Sequence, residues 1–251
     1  MQILLADAKT MFESSDFKAQ SSPKFLNITN KIANEMSRMD VDMLAKALKC
    51  NHQIAADAAL HYDHFGEAQL MPAIYAYNGQ AYKHLSAESL SQDAIAFAQQ
   101  HLWITCFLYG LLRPLDGITP YRIEPSIKLD CTNDKPVGSI WKEYLTDYLI
   151  DSVKADDGVL VHLSTADYEQ LFDWKRVCRE VHVIQPTFYV QRPDGTMKVQ
   201  AVWAKSCRGA MTRFILQNQI SNPEELATFN YEGFEFCPFG DGKAIDFVRQ
   251  L

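Results

Sequence analysis

Cationic side chains are the first chemistry this sequence offers. Residues 198–223 carry Lys198, Lys205, Arg208 and Arg213 and no Asp or Glu, in a chain whose 31 acids outnumber its 24 Lys and Arg to give a net charge of −7. On a helical wheel of roughly 100° per residue, Lys205, Arg208 and Arg213 fall within one arc of about 140°. Cys207, Ala210, Met211 and Phe214 fall on the opposite side. Such an arc is either a face that binds anions or a solvated helix face. Gly209 lies inside it, where it costs about 1 kcal/mol of helix propensity but lets a phosphate come close.

A second group follows an apolar element that stops at Arg113-Pro114. Arg113, Asp116, Arg122 and Glu124 alternate there in turn-rich chain, and loops held by a buried element are favoured places for binding groups. Arg113 with Asp116, or Arg122 with Glu124, serve equally well as ion pairs bracing the loop. A third group, Ala8-Lys9-Thr10, sits at the mouth of the apolar run Gln2–Ala6. There a lysine is a point charge for an anion or, desolvated, a nucleophile, unless it simply snorkels to water.

These segments together resemble the YaaA-like family of peroxide-stress proteins. The resemblance rests on Ala8-Lys9-Thr10, Tyr77-Asn-Gly79-x-x-Tyr82, Phe97-Ala-Gln-Gln-His-Leu102, Leu108-Tyr-Gly-Leu-Leu-Arg-Pro-Leu-Asp116, Pro120-Tyr-Arg122 and Ala204-Lys-x-x-Arg-Gly-x-Met-x-Arg-Phe-Ile215. It runs from end to end, and it implies a cytoplasmic α+β protein that binds DNA in a basic cleft and limits oxidative damage linked to iron. In two places the chain departs from the family pattern. The family's Pro before Ala-Lys-Thr is Asp7 here, and its Ser/Asn-x-Glu-Tyr segment is Ser164-Thr-Ala-Asp167-Tyr168. The family's helix-hairpin-helix maps to residues 40–65, with Lys49-Cys50-Asn51-His52 as a hairpin that lacks glycine.

Two functions follow. In the first, Lys9, Thr10, Arg113, Arg122, Lys205, Arg208 and Arg213 line a cleft that holds DNA with little sequence selectivity. In the second, the same basic pocket belongs to an enzyme acting on a nucleic-acid base, nucleotide or other phosphorylated compound. Lys9 or Tyr82 is then reactive, and Asp167, Asp116 or Glu124 is the acid or base. A deep pocket with a buried carboxylate favours the enzyme, and an open groove of duplex width favours simple binding.

The elements that must position these residues read as one α+β domain spanning 1–251, a mixed sheet surrounded by helices. Gln2–Ala6 and Val159–Leu163 are apolar runs suited to buried strands. Helical spacing marks 23–38, 40–48, 51–65, 91–101, 139–154 and 205–219, with Asp40, Asn51 and Ser91 as N-caps. Pro193-Asp194-Gly195 suggests a hairpin joining 181–191 to 197–204. Asn222-Pro223-Glu224-Glu225 suggests a further helix start, and 234–236 with 244–248 a last hairpin across Asp241-Gly242.

The 47% apolar and 22% charged composition excludes disorder and fibrous repeats. Six cysteines, Cys50, Cys106, Cys131, Cys178, Cys207 and Cys237, are scattered without a CxxC pair, which fits reduced thiols in the cytoplasm. No signal peptide is expected at the N-terminus. The longest apolar run, 102–112, is too short to span a bilayer, so no membrane partner is expected. His61 and His64 alone make a poor metal site. No nucleotide, hydrolase or zinc motif is present, so neither a cofactor nor a metal is expected.

Overall fold

Five short strands fix the centre of the molecule. In the computed structural model, which describes residues 1–237 and 245–250, they are β1 (Gln2–Ala6), β2 (Leu102–Cys106), β3 (Gly110–Leu112), β4 (Val159–Leu163) and β5 (His182–Ile184). They form one sheet in the order β3-β2-β1-β4-β5. β1 lies in the middle, parallel to β2 with Ile3 beside Leu102, and parallel to β4 with Gln2 beside Leu160. Parallel strands covered on both faces need apolar side chains in both directions. Ile3, Leu4 and Leu5 supply them, as does the wholly buried β2. β5 is parallel to β4, while β3 returns antiparallel to β2, with Gly110 at φ +76° helping the chain to turn back.

The chain builds outward from β1 to β2 and β3, then comes back to lay β4 on the other side of β1. The direction of building therefore reverses between β1 and β4. In open parallel sheets, ligands sit outside the carboxyl ends of the strands at such a reversal.

A second sheet comprises β6 (Thr187–Gln191), β7 (Met197–Lys198), β8 (Glu235–Phe236) and β9 (Asp246–Gln250). Its order is β8-β9-β6-β7, and only β9 and β6 run parallel. Met71–Pro72 pairs with Gly117–Ile118 in a small ladder. The mixed-sheet α+β class expected from the sequence is the class observed. The expected caps also form, with Asp40, Asn51 and Ser91 accepting from the amides of Met43, Ile54 and Ala94. No helix among the described residues is long and apolar enough to cross a membrane.

Three expectations change in detail. Residues 181–191 do not form one strand: β5 and β6 belong to different sheets and are separated at Gln185-Pro186, because proline has no N–H to give a ladder. The run from Met197 stays extended for only two residues before the long helix Ala201–Asn218 begins. Asn222 does cap a helix, accepting from the Glu224 amide, but Pro223–Thr228 is 3-10 rather than α. The expected last hairpin does form, as β8 paired antiparallel with β9; the turn expected at Asp241-Gly242 falls outside the described residues.

Gly209 has a different purpose from the one its place in the basic arc suggests. It is buried, and a Cβ built on it would lie 1.8 Å from the Ala81 carbonyl oxygen. It brings the long helix against the Gln80–Leu85 helix, where Gln80 donates to Ser206 Oγ at 2.9 Å. Helix propensity alone makes Gly209→Ala stabilising by about 1 kcal/mol. The clash is with backbone, which cannot swing aside, so the substitution should instead destabilise by about 3 kcal/mol or more, read as a lowered urea midpoint.

Candidate functional site

The cavity at the reversal point is built from the ends of β1 and β4 and from two helices. It has a volume of about 410 Å³, and Lys9, Thr10, Tyr82, Asp167, Lys205 and Arg208 are in its wall. That volume lies within the range of small-molecule sites. Lys9 and Thr10 follow directly from β1. The one-turn helix Ala166–Glu169 after β4 carries Asp167 and Tyr168. The long helix presents Lys205 and Arg208 three residues apart, on one side. Among the described residues neither of these two cations has a carboxylate at ion-pair distance. Arg208 is half-buried all the same, and that burial pulls its ionisation downward. Two unpaired cations facing a cavity are a place for an anion.

Close backbone packing makes the site rigid. Asn78 donates its amide to the Thr10 carbonyl at 2.9 Å, and Thr10 Oγ1 donates to the Asn78 carbonyl at 2.6 Å. A Cβ on Gly79 would lie 2.5 Å from that of Ala8, so a residue without a side chain is needed there. Tyr82 donates its hydroxyl to the Ala6 carbonyl at 3.1 Å. Burial pushes the Tyr82 phenol well above the ordinary range, so it acts as a hydroxyl and not as a phenolate.

Arg122 and Glu124 reach the site through Lys9. Lys9, largely exposed, forms an ion pair with the more sheltered Glu124. Arg122 and Lys9 both border a small adjoining space of about 30 Å³, and the Arg122 Nε is buried without a hydrogen-bond partner among the described residues. The expected alternative of Arg122 bracing Glu124 is therefore not what forms.

Arg113, Asp116 and Arg213 lie elsewhere. The Arg113 guanidinium covers the Trp103 ring at 3.2 Å and donates to the Leu102 carbonyl and to Gln2 Oε1. That places it at the opposite end of β1 from Lys9, where burial lowers its ionisation to about 10. Asp116 accepts from Ser21 Oγ and from the Arg113 amide, bracing the turn. Arg213 donates to the carbonyls of Leu85 and Ser86, closing the C-terminal end of the Gln80–Leu85 helix. In residues 40–65, two helices, Val41–Ala47 and His52–Asp63, form a plain helical hairpin. The amides of Leu48, Lys49 and Cys50 in its turn are already bonded to carbonyls of the preceding helix.

A larger cavity of about 560 Å³ has Glu13, Asp57, Glu67, His61 and His64 in its wall and, among the described residues, no Lys or Arg. Its charge suits no anion. His61 is bonded there to Glu13 at 3.1 Å.

Sequence reasoning noted Asp7 only as a departure from the family pattern that puts a negative charge beside the cleft, and gave it no role in the site. Its carboxylate accepts from the Tyr168 hydroxyl and, at 2.8 Å, from the Tyr121 hydroxyl, which meets that of Tyr77 at 2.9 Å. Burial raises the Asp7 carboxyl to about 6, against the opposing pull of both phenols and of Lys9. The available signal was adjacency, since Asp7, Tyr121 and Tyr168 each sit next to a residue already singled out. His162 on β4 is driven the other way, to about 4, by burial and by Arg208, so it is neutral at pH 7.

Comparison with known proteins agrees with the resemblance read from the motifs. Residues 1–239 match a family model described as peroxide stress protein YaaA. A UPF0246 protein of Bacteroides thetaiotaomicron is 40% identical over 256 aligned positions, covering 100% of this chain and 99% of the relative. UPF0246 proteins of Phocaeicola vulgatus and Porphyromonas gingivalis are 39% and 38% identical, covering 94% and 95% of this chain and the same shares of theirs.

The displaced Asp7 carboxyl has a consequence for stability. Its folded value, about 6, exceeds the 3.8 of an ordinary aspartate, so ionisation favours the unfolded chain. Stability from this group is complete below pH 4 and is lost as pH rises through 6, at a cost of roughly 3 kcal/mol above that. Asp7→Asn should therefore raise the melting temperature by several degrees at pH 7.5, with the gain shrinking as pH falls toward 4. Thermal melts of both proteins across that range are the check; an equal gain at every pH would mean that Asp7 is not displaced.

Proposed function

Because this chain belongs to the YaaA family of peroxide stress proteins, we propose that it serves the peroxide-stress response by binding DNA phosphate at the cavity between β1 and β4, and so limits iron-linked oxidative damage. The observation that carries this reading is the cation pair Lys205 and Arg208, without a carboxylate partner among the described residues and facing Lys9 across one cavity, in a chain of net charge −7. An acidic protein that gathers cations at one concave spot attracts a polyanion locally and repels it elsewhere. The cavity is too small for a duplex to enter, so DNA would lie across its mouth with a phosphate or a single nucleotide reaching in. Phosphate contacts carry no base information, which makes sequence selectivity weak. The helical hairpin is not the anchor in this reading, because its turn amides are already bonded within the chain.

A second reading is favoured by one specific observation. The cavity wall holds a sheltered carboxyl, Asp7, raised to about 6, a value suited to moving protons near neutral pH. The alternative is therefore an enzyme acting on a nucleotide or other phosphorylated compound, with Asp7 or Asp167 as the acid or base.

Four cations near the cavity, Lys9, Arg122, Lys205 and Arg208, would give a log-log salt slope of about −3 to −4 for duplex DNA. Fluorescence anisotropy at several salt concentrations measures it. The Lys205→Ala, Arg208→Ala double variant should bind more weakly and flatten the slope by about 2. Arg113→Ala and Arg213→Ala should leave the slope alone while lowering the melting temperature. An unchanged slope in the double variant would remove this cavity from the DNA interface.

A further inference from the structure

Asp7 and Tyr168 both stand in the partition between the cavity and the small adjoining space. Each carboxyl oxygen of Asp7 accepts one phenol proton, Oδ1 from Tyr168 and Oδ2 from Tyr121. While Asp7 is ionised, the Tyr168 proton is committed to it, and the phenol shows the cavity only lone pairs. A proton on Oδ1 reverses that hydrogen bond. The acid then donates to the Tyr168 oxygen, and the Tyr168 hydrogen is free to swing toward the cavity.

We propose that the cavity takes up its oxyanion together with one proton, which rests on Asp7 while the Tyr168 hydroxyl turns to donate to the bound anion. This rests on the reading of the cavity as an anion site. The ligand chemistry is that of an oxyanion without a titrating proton of its own, shared by a DNA phosphodiester and by a free ion such as sulfate. The only bond formed to hydrogen is the Asp7 O–H, the proton comes from solvent, and nothing is oxidised or reduced.

The groups facing Asp7 make it the one suited to respond. From its own segment comes Lys9, and opposite lies Glu124, the partner of Lys9; Arg122 borders the same small space. Tyr77, Tyr82, Tyr121 and Tyr168 surround it, and burial raises all four phenols. From β2 comes the Cys106 thiol, pushed up to about 12. Across the cavity lie Asp167, Lys205 and Arg208. The phenols and the thiol hold their protons throughout pH 5.5–8. An anion seated beside Lys205 and Arg208 raises the proton affinity of Asp7 further. By linkage, a protonated Asp7 strengthens anion binding to the same degree.

Titration calorimetry with sulfate and, separately, with a short DNA duplex, in buffers of small and large ionisation enthalpy at pH 7, counts the protons. The expected result is close to one proton taken up per site, with affinity falling about tenfold per pH unit above pH 6. Uptake with both probes supports the proposal with DNA phosphate as the occupant. Uptake with sulfate alone supports it for a free oxyanion and removes DNA phosphate from the cavity. Asp7→Asn keeps one acceptor and one donor, as the protonated acid does. It should show no proton uptake, a flat pH profile and, at pH 8, at least tenfold tighter binding than the native protein, a gain that damage to the fold cannot produce. Tyr168→Phe should weaken binding at every pH. Anion binding without net proton uptake, or the same proton count in Asp7→Asn, overturns the proposal and leaves the anion site standing. No binding of either probe anywhere between pH 5.5 and 8 overturns both together.

Discussion

The exit of β1 is the constraint on which the cavity depends. β1 is paired on both edges, and the Asp7 amide extends the ladder by donating to the Thr105 carbonyl at 2.9 Å. The chain cannot swing until it has passed that bond, and from Thr10, three residues later, it is paired again, with residues 76–78. Gly79 admits Ala8 against its backbone, and Ala81, two residues on, receives Gly209 of the long helix. Two close approaches, each possible only without a Cβ, therefore connect the central strand to Lys205 and Arg208. Sequence distance between Lys9 and Arg208 is large, but the mechanical path between them is short.

Gathering like charges costs free energy that something at the site must offset. The protein does this unevenly. Lys9 is matched by Glu124, while Lys205 and Arg208 are left without a carboxylate among the described residues. The sheltered acid in the cavity wall, Asp7, is surrounded by phenols and raised by burial to about 6, close enough to neutrality for an incoming anion to protonate it. A fully ionised Asp7 would neutralise the cavity and compete with an incoming anion. A neutral one leaves the cations in charge. The phenols that shelter Asp7 therefore also govern the net charge that a ligand meets.

Much of this was legible in the sequence, and the parts that were not have common physical causes. β1, β4 and the N-caps at Asp40, Asn51 and Ser91 follow from local rules, since a continuous apolar run or a side-chain oxygen before a helix acts within a few residues. Lys9, Lys205 and Arg208 could be singled out by type and segment. The break between β5 and β6 was missed because both are β-rich, and Pro186 decides only that a ladder stops there, not which sheet receives the next strand. Gly209 was misjudged because a helical wheel shows which residues share a face and nothing about what lies against it. Asp7 was undervalued for a similar reason. Its raised proton affinity comes from burial beneath segments more than a hundred residues away along the chain, those of Tyr121 and Tyr168, whose hydroxyls themselves pull the other way.

The motif strings also divide in a way that sequence specificity does not disclose. Leu108-Tyr-Gly-Leu-Leu-Arg-Pro-Leu-Asp116 is among the longest of them, yet its two charged residues work at the far end of the sheet. Arg113 closes over Trp103, and Asp116 braces a turn to Ser21. Ala204-Lys-x-x-Arg-Gly-x-Met-x-Arg-Phe-Ile215 is mixed. Lys205 and Arg208 face the cavity, Gly209 sets the helix packing, and Arg213 closes the end of a neighbouring helix. Short Ala8-Lys9-Thr10, by contrast, lies wholly at the site. A long distinctive string marks many simultaneous constraints, and burial imposes more of these per residue than ligand contact does. Length of motif is thus a guide to the fold, whereas convergence of charge at the end of a central strand is what identifies the site.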